Sequence, residues 1–157
     1  MKLTTKGRYA VTAMMDLALH AKIDRVTLAE IAVRQQISLA YLEQLFAKLR
    51  RAGLVSGVRG PGGGFMLAKS ADEMRIADIV FAVDEPIKAT RCRSEGEVGC
   101  LKKGGRCLTH DLWDELGTQI ELFLSSVTLA DVIEQRVRGR AREMSQNLPQ
   151  SNAHVAA

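Results

Sequence analysis

Residues 38–68 read SLAYLEQLFAKLRRAGLVSGVRGPGGGFMLA, and the fold is decided on them. Leu39, Leu42, Leu45, Phe46 and Leu49 recur at helical spacing and predict a helix over about 39–52 with one apolar stripe. Ser38 stands before it as a candidate N-cap. Gly53 follows it and suits the left-handed position just past a helix end. The side away from the stripe carries Tyr41, Glu43, Gln44, Lys48 and Arg51. Next, Leu54-Val55-Ser56-Gly57-Val58-Arg59 reads as a strand. Gly60-Pro61-Gly62-Gly63-Gly64 reads as a turn, because glycines reach positive φ and Pro61 fixes its own. Phe65-Met66-Leu67-Ala68 reads as the returning strand. A β-hairpin thus sits directly behind a helix with a polar, basic outer face.

The sequence upstream gives this helix a partner. Thr27-Leu28-Ala29-Glu30 is a capping box: the Thr27 hydroxyl accepts from the Glu30 amide, and the Glu30 carboxylate reaches back to the Thr27 amide. Leu28, Ile31 and Ala32 form the inner side of the helix that starts there. It is short, because Gln35-Gln36-Ile37 leads at once to Ser38. An earlier helix over about 6–21 shows its apolar face in Tyr9, Ala10, Ala13, Met14, Leu17 and Ala18. Two short helices joined by a tight turn match a helix-turn-helix. An ordinary helical hairpin would show the same periodicity. The strand pair behind it stands where a wing stands, and so favours the winged form. The second helix of such a pair lies in the major groove of DNA. Arg59, near the wing tip, is placed to enter a narrow minor groove.

Other uses of the glycine run fit worse. A phosphate-binding P-loop needs a Gly-Lys-Ser/Thr ending and a strand-to-helix transition, and neither is here. No nucleophile motif is present, so the chain reads as a non-enzyme. The fold class expected is mainly α with a small β wing.

Composition agrees. The chain has 157 residues, 46% hydrophobic and 25% charged, enough for one domain with a packed core and an added oligomerisation element. The net charge of +4 is unevenly spread: residues 1–69 hold 11 Lys/Arg against 4 Asp/Glu, and residues 70–157 hold 11 against 14. The basic half is the candidate for contact with a polyanion, although a charge excess of this size also suits a solvated surface. No apolar run is long enough for a bilayer span, and the opening Met1-Lys2-Leu3-Thr4-Thr5-Lys6 lacks a signal-peptide core. A cytoplasmic protein without a membrane partner is expected.

The second half carries the chemistry. Ile76, Ile79, Val80 and Val83 predict a short helix that ends before Glu85-Pro86. From there to about residue 106 no periodicity is visible, and a loop of that length is usually functional or disordered. All three cysteines fall here or at its end, in the pattern Cys92-x7-Cys100-x6-Cys107-x2-His110. An odd number of cysteines argues against a closed disulfide framework. Thiolates and imidazole bind zinc, or iron within a sulfide cluster, and binding would offset the ordering entropy of a loop without a core. Cys107 and His110 stand one helical turn apart. Structural zinc sites usually hold a close Cys-x2–4-Cys pair, which is absent, so the spacing leans towards a cluster while leaving zinc open. His20 and His154 read as a helix-end residue and a tail residue.

A last long helix begins near Thr109. Leu112, Trp113, Leu116, Ile120, Phe123, Leu124 and Val127 make a stripe over more than four turns. Such a face packs either onto its own domain or onto a second copy, and a symmetric dimer is the commonest solution. A dimer would present two recognition helices to a palindromic site. Thr128-Leu129-Ala130-Asp131 opens one more short helix. The organisation expected is a DNA-binding domain over 1–84, a ligand-bearing loop over 85–110, a dimerisation helix and short follower over 109–137, and an unstructured tail over 138–157.

Several stretches resemble the IscR-type iron–sulfur cluster regulators of bacteria: Leu3-Thr4-Thr5-Lys6-Gly7-Arg8-Tyr9-Ala10-Val11-Thr12-Ala13-Met14, Ile37-Ser38 with Leu42-Glu43-Gln44-Leu45-Phe46, Val58-Arg59-Gly60-Pro61-Gly62-Gly63-Gly64, Ala89-Thr90-Arg91-Cys92, and above all Cys107-Leu108-Thr109-His110-Asp111-Leu112-Trp113. The likeness covers about residues 1–135. It implies a dimeric winged-helix repressor and activator of cluster-assembly genes, with a [2Fe–2S] cluster held by Cys92, Cys100, Cys107 and His110. It implies further that the cluster-bound form represses its own operon and that the apo form still binds a second class of site. By the same likeness Tyr41, Glu43 and Gln44 face DNA from the recognition helix, with Arg59 at the wing; Ser38 and Arg50 complete the candidate contacts. Glu43 would act as a selector, since a carboxylate accepts from a cytosine amino group and is penalised elsewhere. The chain departs from the family in its longer cysteine spacings. It also has Ala40 and Gly57 where serines are common, which removes two possible DNA hydrogen bonds. Two other readings stay open: a zinc-binding regulator, and a cluster carrier or electron-transfer protein with no use for a wing.

Overall fold

The computed structural model describes residues 5–21, 25–85 and 107–139. Its elements follow in chain order as α1 (Thr5–His20), α2 (Leu28–Gln35), α3 (Leu39–Arg51), β1 (Val55–Val58), β2 (Gly64–Leu67), α4 (Ile76–Ala82), α5 (His110–Ser126) and α6 (Leu129–Ile133). The two strands pair antiparallel, Val55 opposite Leu67 and Val58 opposite Gly64. The fold is a winged helix-turn-helix, as expected.

Local sequence sets the helix ends. At Thr27 both halves of the capping box form: the Glu30 amide donates to the Thr27 hydroxyl at 3.3 Å, and the Thr27 amide to the Glu30 carboxylate at 2.7 Å. Helix α2 ends at Gln36, which takes a left-handed conformation with φ 54°. Only Gln36 and Ile37 separate it from Ser38, whose hydroxyl accepts from the Tyr41 amide at 3.3 Å and so starts α3. Helix α3 closes on Ala52 and then Gly53, at φ 70°. The Gly53 amide donates to the Arg50 carbonyl and the Leu54 amide to the Leu49 carbonyl, each at 3.0 Å. Those two bonds are a Schellman motif, and Leu49 and Leu54, its apolar pair, are both buried. The sharp stop delivers the chain into β1.

Helix α1 lies at the centre. Its Ala10, Ala13, Met14 and Leu17 are wholly buried, and it packs against α2, α3, α4, α6 and strand β2. Leu42, Leu45, Phe46 and Leu49 of α3 and Ile79, Val80 and Val83 from α4 and its end complete the core. Segment 127–133 returns to this body: the Ile76 amide donates to the Val127 carbonyl at 2.9 Å, and the Leu129 amide to the Met74 carbonyl at 2.8 Å. Helix α5 behaves differently. Phe123 and Leu124, near its C-terminal end, pack on the core. Towards its start, Leu112, Trp113 and Leu116 are 62%, 38% and 37% exposed.

Inside the helix-turn-helix lies a buried carboxylate. The Asp16 side chain is fully covered. Arg34 donates to it through Nε at 3.1 and 3.0 Å and through Nη2 at 2.7 Å, and Gln35 Nε2 donates at 2.6 Å. Both donors sit in the last turn of α2. Burial opposes ionisation of Asp16, but the Arg34 and Gln35 hydrogen bonds and the Arg34 charge outweigh it and hold its carboxyl below the usual carboxylate range. A depressed folded-state pKa gives stability that is present above the unfolded-state value and is lost as pH falls through the folded one. Replacing Asp16 by Ala is expected to cost about 3 kcal/mol, since it leaves a partly buried guanidinium unpaired. A urea titration with unchanged slope checks the value. Asp16→Asn is expected to flatten the acid limb of the stability–pH curve; an unchanged limb would deny the carboxylate this role.

Candidate nucleic-acid interface and metal centre

Helix α3 is amphipathic in the sense required for groove binding. Its inner side fills the core. Ala40, Glu43, Gln44, Ala47, Arg50 and Arg51 form the exposed side. The side chains of Glu43, Gln44, Arg50 and Arg59 make no hydrogen bond or ion pair with any described residue. Two residues of the polar set point elsewhere. Tyr41 is half-buried and meets Tyr9 of α1 edge-on, with ring centroids 6.0 Å apart. Lys48 turns to the flank and donates to Asp84 at 2.6 Å. The Asp84 bond raises the Lys48 pKa. A position three or four residues from a core residue still lies on a flank, which a reading of residue types alone does not resolve. Ser38 is committed to its cap, and its side chain stands at the N-terminal end of α3.

The wing stands beside α3. Between them runs a groove of about 430 Å³, with Glu43 and Arg50 on the helix side and Val58 and Arg59 on the wing side. At the wing tip the Gly63 amide donates to the Gly60 carbonyl at 2.8 Å, and Gly62 takes φ 72°. With Pro61 before it, this is a type II turn. A Cβ on Gly63 would lie 2.4 Å from the Val58 carbonyl oxygen, so the tip closes only over a bare glycine. The turn holds Arg59 exposed at the end of β1. One carboxylate and two guanidinium groups lining a groove open to solvent are a set of groups that suits a nucleic-acid duplex.

Two candidate metal ligands are described. Cys107 and His110 sit where the chain turns into α5, and the His110 amide donates to the Cys107 carbonyl at 3.1 Å. Cys107 is half-buried, and His110 is only 4% exposed. Thr109, between them, accepts from the Trp113 indole at 3.1 Å, which ties this first turn to the helix. Spacing i, i+3 at a helix start puts thiol and imidazole on one side of the turn, and the positive end of the dipole favours thiolate. Cys92 and Cys100 lie outside the described residues, as do most of the 85–110 loop and the tail. Among described residues no group of three ligating side chains converges. A thiol and an imidazole on one turn are a donor pair that suits iron or zinc.

The chain entering the loop is anchored. Glu85 is buried, and its carboxylate accepts from the Gly7 amide at the start of α1. A Cβ on Gly7 would lie 2.6 Å from the same Glu85 oxygen. Asp84, one residue earlier, has φ 55° and holds Lys48 of α3. Neither acid was legible as an anchor in the sequence. The one signal is that α1 has no acidic residue in its first turn, where a carboxylate is favoured.

Comparison with known proteins agrees with this arrangement. The profile of the Rrf2 family, described as "Iron-dependent Transcriptional regulator", matches residues 3–135. The chain is 52% identical over 157 residues to the HTH-type transcriptional regulator IscR of Photorhabdus laumondii, covering 98% of this chain and 94% of that one. It is 57% identical over 133 residues to the putative HTH-type transcriptional regulator ORF2 of Azotobacter vinelandii, covering 85% and 79%. Among solved structures, T. potens IscR superposes with a TM-score of 0.68 at 40% identity, covering 87% of this chain and 88% of that one. CymR, the global cysteine regulator of B. subtilis, superposes with a TM-score of 0.70 at 32% identity, covering 86% and 98%. With its helix-turn-helix, its wing and its sequence all in agreement, the chain belongs to the Rrf2 family of iron-dependent transcriptional regulators.

Proposed function

We propose that this regulator senses iron–sulfur status through a [2Fe–2S] cluster on Cys92, Cys100, Cys107 and His110, and controls cluster-assembly genes from palindromic operators as a cytoplasmic homodimer. The observation that carries the reading is the pairing of Cys107 with a buried His110 on the first turn of α5, in a chain 52% identical to a protein named IscR. Three thiolates and one imidazole suit iron–sulfur ligation. When bound, the cluster supplies a redox-active centre whose presence reports on iron and sulfide supply. The residues do the rest. Cys107 and His110 fix one side of the site on a helix, and the Asp84 and Glu85 anchors tie the entry to the ligand loop onto α3 and α1. Glu43, Gln44 and Arg50 meet the major groove, and Arg59 the minor groove. Catalysis has no part in the reading.

A dimer through α5 is supported by the exposed apolar stripe at its start. Uncovered leucines at positions 112 and 116 would cost solubility in a lone chain. No helix among the described residues is long and apolar enough to cross a membrane.

The deciding measurement is an anaerobic ultraviolet–visible spectrum with iron and sulfide analysis. Brown protein with equal iron and sulfide is expected; a colourless protein with stoichiometric zinc overturns the cluster. Cys92→Ala is expected to lose the visible absorption while remaining a folded dimer that binds some DNA, and an unfolded variant would make the site structural. Arg59→Ala is expected to weaken binding to every operator class and to lower the salt slope of affinity by about 1. Equal affinity and slope would remove the wing from the interface. The double substitution Leu112→Asp with Leu116→Asp is expected to give a single-chain mass by light scattering; a persistent dimer would place the interface elsewhere.

A further inference from the structure

Gly57 lies in β1 of the wing, where the resemblance described above makes it a lost hydrogen bond to DNA. The structure gives the position another meaning. Gly57 pairs with Phe65 across the wing. A Cβ on Gly57 would lie 2.8 Å from Cε1, 3.0 Å from Cδ1 and 3.3 Å from Cζ of the Phe65 ring. The ring therefore lies against the bare backbone of β1. It meets Phe46 of α3 edge-on, with centroids 4.9 Å apart and planes at 68°. Phe46 is 1% exposed and lies between the Glu43 and Arg50 turns of the same helix.

The backbone of Phe65 is held as well. Its amide donates to the Val26 carbonyl at 2.8 Å, and its carbonyl accepts from the Val26 amide at 3.0 Å. Val26 is the residue before the Thr27 cap of α2. The next residue towards the wing tip, Gly64, comes so close to this segment that a Cβ there would lie 2.9 Å from the Val26 carbonyl oxygen. One aromatic residue thus binds the wing to the start of α2 by its main chain and to the recognition helix by its ring.

We infer that Phe65 is a positioning residue for DNA binding: it fixes the tilt of the wing, and with it the distance from Arg59 to α3. The inference rests on the proposed reading in which Arg59 and α3 contact one duplex. Its physical basis is leverage. A two-stranded hairpin has little stability of its own. Arg59 stands two residues beyond Gly57, roughly 7 Å further along the strand, and its side chain extends the arm again. A tilt of about 15° at the Phe65 contact swings the guanidinium by about 3 Å, more than a hydrogen bond tolerates. An aromatic edge contact has a preferred geometry, which an aliphatic side chain of similar size lacks.

The test is a double-mutant cycle on the full chain, with a duplex chosen by in vitro selection on the wild-type protein. Phe65→Leu is the main variant. Phe65→Met, whose unbranched side chain adapts to an irregular site, serves if the first fails to fold. Each is combined with Arg59→Ala, and thermal midpoints are recorded in parallel. Loss of the ring is expected to weaken binding about tenfold with Arg59 present and less than about twofold with Arg59 absent, because the two act as one unit. The salt slope of Phe65→Met is expected to fall as that of Arg59→Ala does, a change that destabilisation alone does not produce. Equal losses in both backgrounds overturn the inference and leave Phe65 a core residue. An unaltered affinity for Arg59→Ala alone overturns the underlying wing contact, and a positioning role through it fails with it.

Discussion

The geometry of the DNA-binding half depends on one buried carboxylate. Asp16, on the central helix α1, collects three hydrogen bonds from Arg34 and one from Gln35. Those two residues are the end of α2, and the left-handed turn at Gln36 follows at once. A tight turn between two short helices has little freedom, so the direction of α3 is inherited from the place where α2 stops. Apolar packing of Ile31 and Leu42 brings the helices together without fixing their rotation. A forked guanidinium on a carboxylate does fix it, because the geometry is satisfied in one orientation. Replacing such a pair by apolar residues often keeps stability, so its value here lies in direction.

From that fixed helix the rest is built outward in layers. The Schellman stop at Gly53 launches β1. Phe65 returns the wing to Phe46 and Val26. Asp84 and Glu85 then fasten the exit of the domain to α3 and α1. The Phe65, Asp84 and Glu85 links each join residues far apart in sequence. The outcome is a frame that presents the exposed polar groups Glu43, Gln44 and Arg50 on a helix whose other side is buried, and Arg59 at the end of a wing tied back to the core by Phe65.

Much of this was legible in the sequence, and the boundary between legible and hidden is physical. Caps at Thr27, Ser38 and Gly53 are interactions within four residues, and residue types announce them. The core stripe of α3 and the glycine turn of the wing are equally local. Asp16 gave no signal, because its partners are 18 and 19 residues away and a lone acid on a helix usually faces water. Glu85 and Gly7 are 78 residues apart. Tyr41 and Lys48 were grouped with the polar face by type, yet flank positions are claimed by whichever element lies alongside, here Tyr9 and Asp84. Gly57 looked like a missing donor because its partner, the Phe65 ring, belongs to another strand. At the candidate metal site the spacing of three thiols and an imidazole was plain. That His110 is withdrawn from solvent was not, since burial depends on what α5 packs against.

The Gly7–Glu85 bond also bears on how the chain is made. A ribosome releases α1 first, and the amide of Gly7 has to wait for a carboxylate 78 residues behind it. At synthesis rates of about 5–20 residues per second that delay is of the order of several seconds. During it the central helix lacks its buried anchor, so the nascent domain has every reason to close as one unit after residue 85 has emerged. All three cysteines are translated after that point. Vectorial synthesis therefore presents the thiols after the helix-turn-helix and wing and before α5 and α6.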